Sequence, residues 1–166
     1  MKRISVFVVV FVFVTVFCFG ADPAEGFWIS YDDKVENKAV AGWEIYVSGN
    51  KLYGKVLSVT GHPQDVKAYN CKESYRGFPV QGKVNEMTVV GTPWVFDLTM
   101  KKPGEWSGGQ VIDPDEGKIY GCEVTFRPRD GKKYLVDTLE MRGKIGPFGR
   151  SQFWRKATRE EASALR

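Results

Sequence analysis

Apolar and polar residues alternate along most of the chain between Gly26 and Trp154, in short runs that end at glycine, proline or asparagine. The run Val40–Val47 alternates clearly, the turn Ser48–Asn50 follows it, and Leu52–Val59 returns with the same spacing. A period of two predicts a β-strand that buries one face, and a tight turn between two such runs predicts a hairpin. We therefore expect this part of the chain to consist of antiparallel strands.

Further runs extend this pattern towards the C-terminus. In Trp94–Met100, apolar residues occupy every second position, which predicts that they share one face of a strand. The other runs are Phe27–Tyr31, Trp106–Ile112, Tyr120–Phe126, Leu135–Ile145 and a last strand that ends at Trp154. Gly108 and Gly109 predict a bulge within their strand. Between Gly61 and Gly82 the pattern gives way to proline, glycine and charged residues, which predicts one long connection.

Eight or nine such strands predict an all-β fold, an antiparallel up-and-down barrel in which sequence neighbours pair. A sheet of this size can bury its apolar face by curling on itself, and closure removes the exposed strand edges. An eight-stranded barrel is either filled by side chains or wide enough for one small ligand. A sandwich of two sheets is the alternative arrangement.

The first twenty residues, called the leader below, differ from the rest. Lys2 and Arg3 precede the almost purely apolar run Ile4–Phe19, and a small residue, Gly20, comes before Ala21. This order is typical of a secretory signal peptide, so we expect cleavage before Ala21 and export, to a periplasm or out of the cell. Membrane contact is then expected only through the leader before cleavage. A retained anchor is the alternative, although about sixteen apolar residues are short for a span of roughly twenty.

Removal of residues 1–20 leaves a barrel domain, residues 21–156, and a polar tail, residues 157–166, which we expect to be a frayed helix. Without Lys2 and Arg3 the chain carries 22 basic and 20 acidic residues, so its charge is nearly balanced. We therefore expect no nucleic-acid partner. The basic residues of the long connection lie among acidic ones and are interpreted as a solvated loop; they are Lys67, Lys72 and Arg76.

Two cysteines remain after the leader, Cys71 and Cys122. An even pair in an oxidising compartment favours one disulfide, which typically stabilises a fold by about 2–4 kcal/mol. Two free thiols or half of a metal site are the alternatives. Because His62 is the single histidine of the chain, we expect no zinc site, and the sequence suggests no cofactor.

Three stretches together resemble a known family. They are Gly26–Trp28, Gly109–Tyr120, and Arg142–Gly146 continued by Gly149–Arg155. In this order they resemble a family of secreted bacterial proteins known as a domain of unknown function and related to the lipocalins, or calycins. The resemblance covers about residues 24–156 and implies a fold and a location outside the cytoplasm, with no reaction attached. The long connection with Cys71 departs from the general pattern.

The resemblance also implies structural roles for three residues. In lipocalin-like barrels, the tryptophan of a Gly-x-Trp motif closes one end of the barrel, and an arginine late in the chain packs on it. Trp28 matches the tryptophan, and either Arg150 or Arg155 matches the arginine. A guanidinium group over an indole contributes about 0.5–2 kcal/mol, depending on its desolvation.

No catalytic motif stands out. A Ser/His/Asp triad would need His62 as its base, but His62 lies beside Pro63 in the long connection, with no nucleophile motif nearby. A carboxylate pair for glycoside cleavage needs two acids that meet in a cleft. The acids on strands are more simply explained as facing solvent; they are Glu44, Asp97 and Glu123. We therefore expect a protein that is not an enzyme.

The aromatic content suggests a ligand site. Trp43, Trp94, Phe96 and Tyr120 are predicted to line an apolar cavity, and Asp137, on the face of Leu139 and Met141, is predicted to orient a polar head group. The alternative for Asp137 is a pair with a Lys, Arg or Tyr of a neighbouring strand, or a position at the solvent-exposed rim. The first functional hypothesis is an exported binding protein for a small hydrophobic or amphipathic molecule. The alternative is a structural or interaction module of the cell envelope, in which the same rings fill the barrel.

Overall fold

Within residues 20–166, eight strands follow one another, and each pairs antiparallel with its sequence neighbours. The computed structural model describes residues 20–166, so the predicted leader lies outside the described residues except for Gly20. The strands are β1 (Gly26–Tyr31), β2 (Ala39–Ser48), β3 (Lys51–Val59), β4 (Pro93–Lys102), β5 (Glu105–Asp113), β6 (Lys118–Arg127), β7 (Thr138–Ile145) and β8 (Phe148–Ala157). Pairing of β1 with β8 closes the barrel. The predicted up-and-down barrel is confirmed, with eight strands.

Side chains fill the lumen. Directly opposed residues of neighbouring strands share a face, and the chain of opposed residues Trp28, Trp43 and Val56 marks the inner one. All three are buried, as is Trp154 of β8. The other fully buried side chains on this face are Ile45, Leu52, Val95, Leu98, Val124 and Leu139.

Strand β4 does not keep the predicted period of two. Asp97 has a φ of 64°, in the left-handed region that non-glycine residues rarely adopt, and the pairing register shifts at this point. A Cβ built on Gly54 would meet both Ile45 and Val95, so Val95 faces the lumen. Trp94 and Phe96, which precede the irregularity, therefore face outward. The prediction of one common face for Trp94–Met100 is wrong.

The connection between β3 and β4 packs on the outside of the barrel. Tyr75 donates a hydrogen bond to the carbonyl of Gly117 in the β5–β6 loop (2.7 Å), which ties the connection to that loop. The Phe78 ring lies 5.9 Å from Trp94 and 5.5 Å from Phe96, so it covers the outer wall of β4. Before β4 the chain forms one 3-10 turn, Val84–Glu86, and isolated bridges, which is why the ninth strand is absent from the described residues.

The C-terminal residues form a short helix, α1 (Arg159–Ser163), that begins with a capping box between Thr158 and Glu161. Ala162 is fully buried, and its carbonyl accepts a hydrogen bond from Ser58 Oγ on the outer wall (2.7 Å). The tail is thus helical as predicted, but it packs on the barrel and is not frayed. Within residues 20–166 the structure contains no helix long and apolar enough to cross a membrane.

The two ends of the barrel carry different connections. The base is the end where residues 20–25 enter, with the turns 49–50 and 103–104 and the β6–β7 loop, residues 128–137. The rim is the opposite end, with the β1–β2 loop, the long connection, the β5–β6 loop and the β7–β8 hairpin turn. This arrangement places the two ends about one strand length apart, and strands of eight to ten residues are roughly 26–34 Å long.

Candidate functional site

The lumen contains stacked rings where a ligand was predicted. The indoles of Trp43 and Trp154 lie 4.6 Å apart with an interplanar angle of 20°. Trp43 also donates a hydrogen bond from Nε1 to Ser30 Oγ (3.2 Å), and Trp154 donates to Gln152 (3.2 Å). Trp43 is 9% exposed and Trp154 is 2% exposed, so two buried indoles occupy the middle of the lumen.

The five predicted ligand-binding residues do not meet in one place. Trp43 lies in the lumen, whereas Trp94 and Phe96 lie outside the wall beneath Phe78. Tyr120 lies near the rim, half-buried, with its hydroxyl 3.5 Å from Glu116. Asp137 lies at the base, where its carboxylate accepts the backbone N–H of Arg129 (2.9 Å). Because Asp137 precedes β7, it does not project from the inner face of that strand.

Trp28 is fully buried near the base, and its cationic partner is neither predicted arginine. Its Nε1 donates to the carbonyl of Ala24 (3.0 Å), and the ammonium of Lys156 lies 4.3 Å from the ring centroid. Burial lowers the pKa of Lys156. The predicted arginines lie on other partners: Arg155 stacks on the Tyr31 ring, and Arg150 forms an ion pair with Asp33.

The predicted disulfide is wrong: Cys71 and Cys122 are both free thiols, and both are buried. The backbone of Cys71 lies against Gly117. Cys122 lies five residues after Gly117, which is about 16 Å along an extended strand. The Cα atoms of two bridged cysteines lie less than about 7 Å apart, so Cys71 and Cys122 are too far from each other for a disulfide. The Cys122 thiol instead contacts Met141 Sδ in the lumen (3.0 Å), and burial raises the pKa of both thiols.

Two concavities lie on the outer surface of the barrel. One, of about 510 Å³, lies within the long connection between Cys71 and Asn85. The other, of about 690 Å³, is a shallow groove on the outer wall where glycines of β5 and β6 leave the backbone open. Trp43 lines neither of them, and the linings are mainly polar. Neither concavity has the enclosed apolar walls of a typical small-molecule site.

The strand acids lie on the outer wall and pair with lysines. Asp97 is exposed as expected, whereas Glu44 is only partly exposed. Glu44 pairs with Lys55, Asp97 with Lys51 and Glu123 with Lys144, at distances between 2.8 and 3.2 Å. Each of these acids pairs with a different lysine on the outer wall, and no two of their carboxylates meet in a cleft. In the part of the chain that the structure describes, no three His, Cys, Asp or Glu side chains cluster as metal ligands would.

The rim presents a feature that sequence reasoning missed. In the β7–β8 hairpin, Ile145 and Phe148 are directly opposed and continue the inner face beyond the barrel. Ile145 is 60% exposed and Phe148 is 79% exposed. The sequence could have indicated this feature, because apolar residues stand on both sides of the Gly146-Pro147 turn, where polar residues are usual. We call Ile145, Phe148 and their basic neighbours the rim patch.

The basic residues of the rim patch surround Ile145 and Phe148. Lys144 pairs with Glu123 on the outer wall (2.8 Å), and Arg150 pairs with Asp33 of the β1–β2 loop. Arg142 lies beside Gly149 on the outer face of the hairpin. Between Arg142 and Arg150 the hairpin carries three basic residues and no acidic residue, so its tip combines apolar contact area with positive charge.

Comparisons with known proteins agree with this barrel. A family model described as "Uncharacterized protein conserved in bacteria (DUF2147)" matches residues 26–156. Among solved structures, the chain is similar to protein HP1028 from the human pathogen Helicobacter pylori, described as a member of the lipocalin family. That structure is 18% identical, with a TM-score of 0.61 over 83% of this chain and 85% of the other. No curated protein matches the chain. The resemblance seen in the three sequence motifs, and the lipocalin-like fold, are confirmed.

Proposed function

We propose that this chain, which belongs to the DUF2147 family of uncharacterized bacterial proteins, is an exported, non-enzymatic interaction module that contacts a protein partner through its rim patch. One observation supports this proposal above all: two large apolar side chains, Ile145 and Phe148, are exposed on a hairpin above a filled lumen. Exposed apolar clusters bordered by polar residues mark interaction sites in soluble proteins.

The exposure of the rim patch favours a macromolecular partner over a small ligand. A small-molecule site buries about 70–90% of its ligand, which requires walls on several sides. Phe148 stands on a hairpin turn with most of its surface in solvent. Such a ring fits a pocket on another protein, as buried aromatic anchors do in interfaces. Among the described residues Arg142 has no carboxylate within 4.0 Å, whereas Lys144 and Arg150 are paired, so Arg142 favours an acidic group beside that pocket.

Site-specific photocrosslinking tests this proposal. A benzophenone amino acid replaces Phe148 in the full-length protein expressed in its own host, and crosslinked species are identified by mass spectrometry. The matched control places the same group at Phe153, which is exposed on the outer face of the same strand. We expect a discrete adduct from position 148 that is absent from position 153. Crosslinks of equal intensity at both positions, or at neither, would contradict a partner at the rim.

Carriage of a small apolar molecule is the second candidate function. It is favoured by the placement of Ile145 and Phe148 on the inner face of the barrel mouth and by the lipocalin-like fold. In this case organic extracts of the purified protein contain one reproducible amphipathic compound, and the double variant Ile145→Ser/Phe148→Ser loses it. Extracts without such a compound, together with a discrete crosslink at position 148, favour the protein partner.

Export is part of the same proposal and rests on the leader. The basic start, the apolar run Ile4–Phe19 and the small residue before Ala21 support a cleaved signal peptide. Intact-mass analysis of the protein recovered from each cell fraction tests this. We expect a mature chain beginning at Ala21 outside the cytoplasm, and an uncleaved chain in the cytoplasm would contradict export.

A further inference from the structure

The base of the barrel presents a second amphipathic surface, independent of the rim. In the β6–β7 loop, Leu135 is 70% exposed and Val136 is 43% exposed, and the exposed Lys132 and Lys133 precede them. These four residues, Arg129 of the same loop and Met100–Lys102 at the end of β4 are together called the base surface. Both segments lie at the base, where the Phe126 N–H at the end of β6 donates to the Gly104 carbonyl of the β4–β5 turn (2.7 Å).

Hydrogen bonds hold the loop in one conformation. The Asp130 carboxylate accepts the backbone N–H groups of Lys132 (2.8 Å) and Tyr134 (2.9 Å), and Asp137 accepts that of Arg129 (2.9 Å). The two acids of the loop are therefore engaged with its backbone, while its lysines and apolar side chains project. An ordered loop gives up less conformational freedom when it binds.

The charge of the base surface is positive and largely unpaired. Within residues 20–166, no carboxylate lies within 4.0 Å of the cationic groups of Lys101, Arg129, Lys132 or Lys133. Lys102 alone in this surface pairs with an acid, Glu105 (3.0 Å). The rim differs, because two of the three basic residues of its hairpin, Lys144 and Arg150, already pair with acids. The rim also carries Asp113 at the end of β5 and Asp115 and Glu116 in the β5–β6 loop. An anionic surface is therefore attracted to the base more than to the rim.

The base is also the end at which the apolar leader joins the barrel. Asp22, two residues after Gly20, accepts hydrogen bonds from Gly104 N–H (2.9 Å) and Trp106 Nε1 (3.0 Å), which fixes the start of the described chain beside the β4–β5 turn. The run Ile4–Phe19 immediately precedes this point. Whenever that run lies in a membrane, the base is the face of the barrel nearest to the bilayer.

We propose that the base surface docks on an anionic phospholipid bilayer, with Leu135 and Val136 entering the headgroup region and the surrounding lysines and arginine contacting phosphate groups. Apolar side chains set among basic ones bind membrane surfaces through these two contributions together. This proposal goes beyond a leader-only membrane contact and does not depend on the rim partner. The rim patch then points away from the bilayer, towards the aqueous compartment.

Vesicle co-sedimentation tests the proposal with protein beginning at Ala21. Residues 21–166 contain every strand of the barrel and the packed helix α1, so the fold is complete without the leader. We expect binding to vesicles of phosphatidylcholine and phosphatidylglycerol in a 70:30 mixture, weak binding to pure phosphatidylcholine, and loss of binding at high salt. The variant Lys132→Glu/Lys133→Glu is expected to bind the anionic vesicles at least about tenfold more weakly.

Two further variants locate the contact. Leu135→Ser/Val136→Ser keeps the charges and is expected to weaken binding several-fold, because the apolar contribution is lost. The matched control, Lys72→Glu/Arg76→Glu, reverses two exposed charges on the long connection at the rim and is expected to bind as the unmodified protein does. Absence of binding to the anionic vesicles overturns the proposal, and so does an equal loss in the rim control. A crosslink at Phe148 is unaffected by either result, so the two proposals fail separately.

Discussion

The indole of Trp43, on β2, stacks against the indole of Trp154, on β8, with ring centroids 4.6 Å apart. These strands are the two neighbours of β1, so the stack spans the line along which the barrel closes. Both rings are buried, and each also donates a hydrogen bond from its indole nitrogen. The stack therefore serves closure of the barrel and leaves no room for a ligand at this level of the lumen.

Removal of one ring should both destabilise the barrel and create the cavity that the native lumen lacks. Trp154→Ala is expected to lower the free energy of unfolding by about 3–5 kcal/mol, since a large buried ring is lost and the surrounding wall relaxes only partly. The measurement is urea unfolding followed by circular dichroism. Apolar cavities made in this way bind small aromatic molecules, so indole should raise the melting temperature of the variant.

The unmodified protein and Phe153→Ala are the controls for this experiment. Phe153 is half-exposed on the outer face of the same strand, and its truncation is expected to cost about 1 kcal/mol or less. Indole should leave the melting temperature of both controls unchanged. Stabilisation of the unmodified protein by indole would mean that the native lumen already contains a binding cavity.

Gly42 is required because helix α1 packs directly on it. A Cβ at Gly42 would lie 1.7 Å from the carbonyl oxygen of Ala162, so Gly42→Ala is expected to displace α1 and to cost about 1–3 kcal/mol. Gly121→Ala is the matched control: its Cβ would lie 3.7 Å from the nearest atom, and alanine should stabilise the strand slightly. Chemical unfolding and trypsin cleavage after Arg159 measure both effects. A protected Arg159 in Gly42→Ala would contradict the packing role.

The fold could be predicted because local patterns and global topology agree. Alternation in Val40–Val47 and Leu52–Val59, with a tight turn between them, specifies a hairpin, and repetition of such hairpins specifies a closed sheet. The predicted bulge at Gly108 is present as well. The irregularity at Asp97 could not be predicted in the same way, because a non-glycine residue in the left-handed region has no strong sequence signal.

The candidate site could be predicted less well, for reasons that differ between residues. The course of the long connection decides where Cys71 and Trp94 lie, and no periodicity describes that segment. The cationic partner of Trp28 could have been predicted from strand alternation. Lys156 is two residues from Trp154 and shares its face, whereas Arg155 faces outward. The exposed tip at Phe148 carries an apolar residue where solubility alone favours a polar one.

The free thiols lead to a redox prediction. Because Cys71 and Cys122 are buried and apart, the melting temperature should be the same with and without reductant. Alkylation after unfolding without reductant should add two groups to protein beginning at Ala21. In the native state Cys122 should react slowly, since burial raises the pKa of its thiol and little thiolate forms at neutral pH. A mass that excludes alkylation after unfolding would indicate a disulfide.

The ion pair between Arg127 and Glu140 should contribute a pH-dependent part of the stability. Arg127 donates from Nε and Nη2 to Glu140 Oε2 (3.0 and 2.7 Å), and Ser151 donates to Oε1 (2.9 Å). Burial alone would raise the pKa of Glu140, but these hydrogen bonds outweigh it and hold the pKa below its usual 4.5. A carboxyl whose pKa is lower in the folded protein stabilises the fold above the unfolded pKa, and this contribution disappears as pH falls through the folded pKa.

We therefore expect Glu140→Gln to be less stable than the unmodified protein at pH 7, by about 1 kcal/mol or less because the pair is partly exposed. The difference should persist down to about pH 4.5 and shrink at lower pH, where the glutamic acid is itself protonated. Urea unfolding at a series of pH values measures it. The control is Glu105→Gln, which removes the more exposed pair with Lys102 and should change stability little at any pH. If the stability difference between Glu140→Gln and the unmodified protein stayed constant at strongly acidic pH, the side chain would stabilise the fold through its shape and not through its charge.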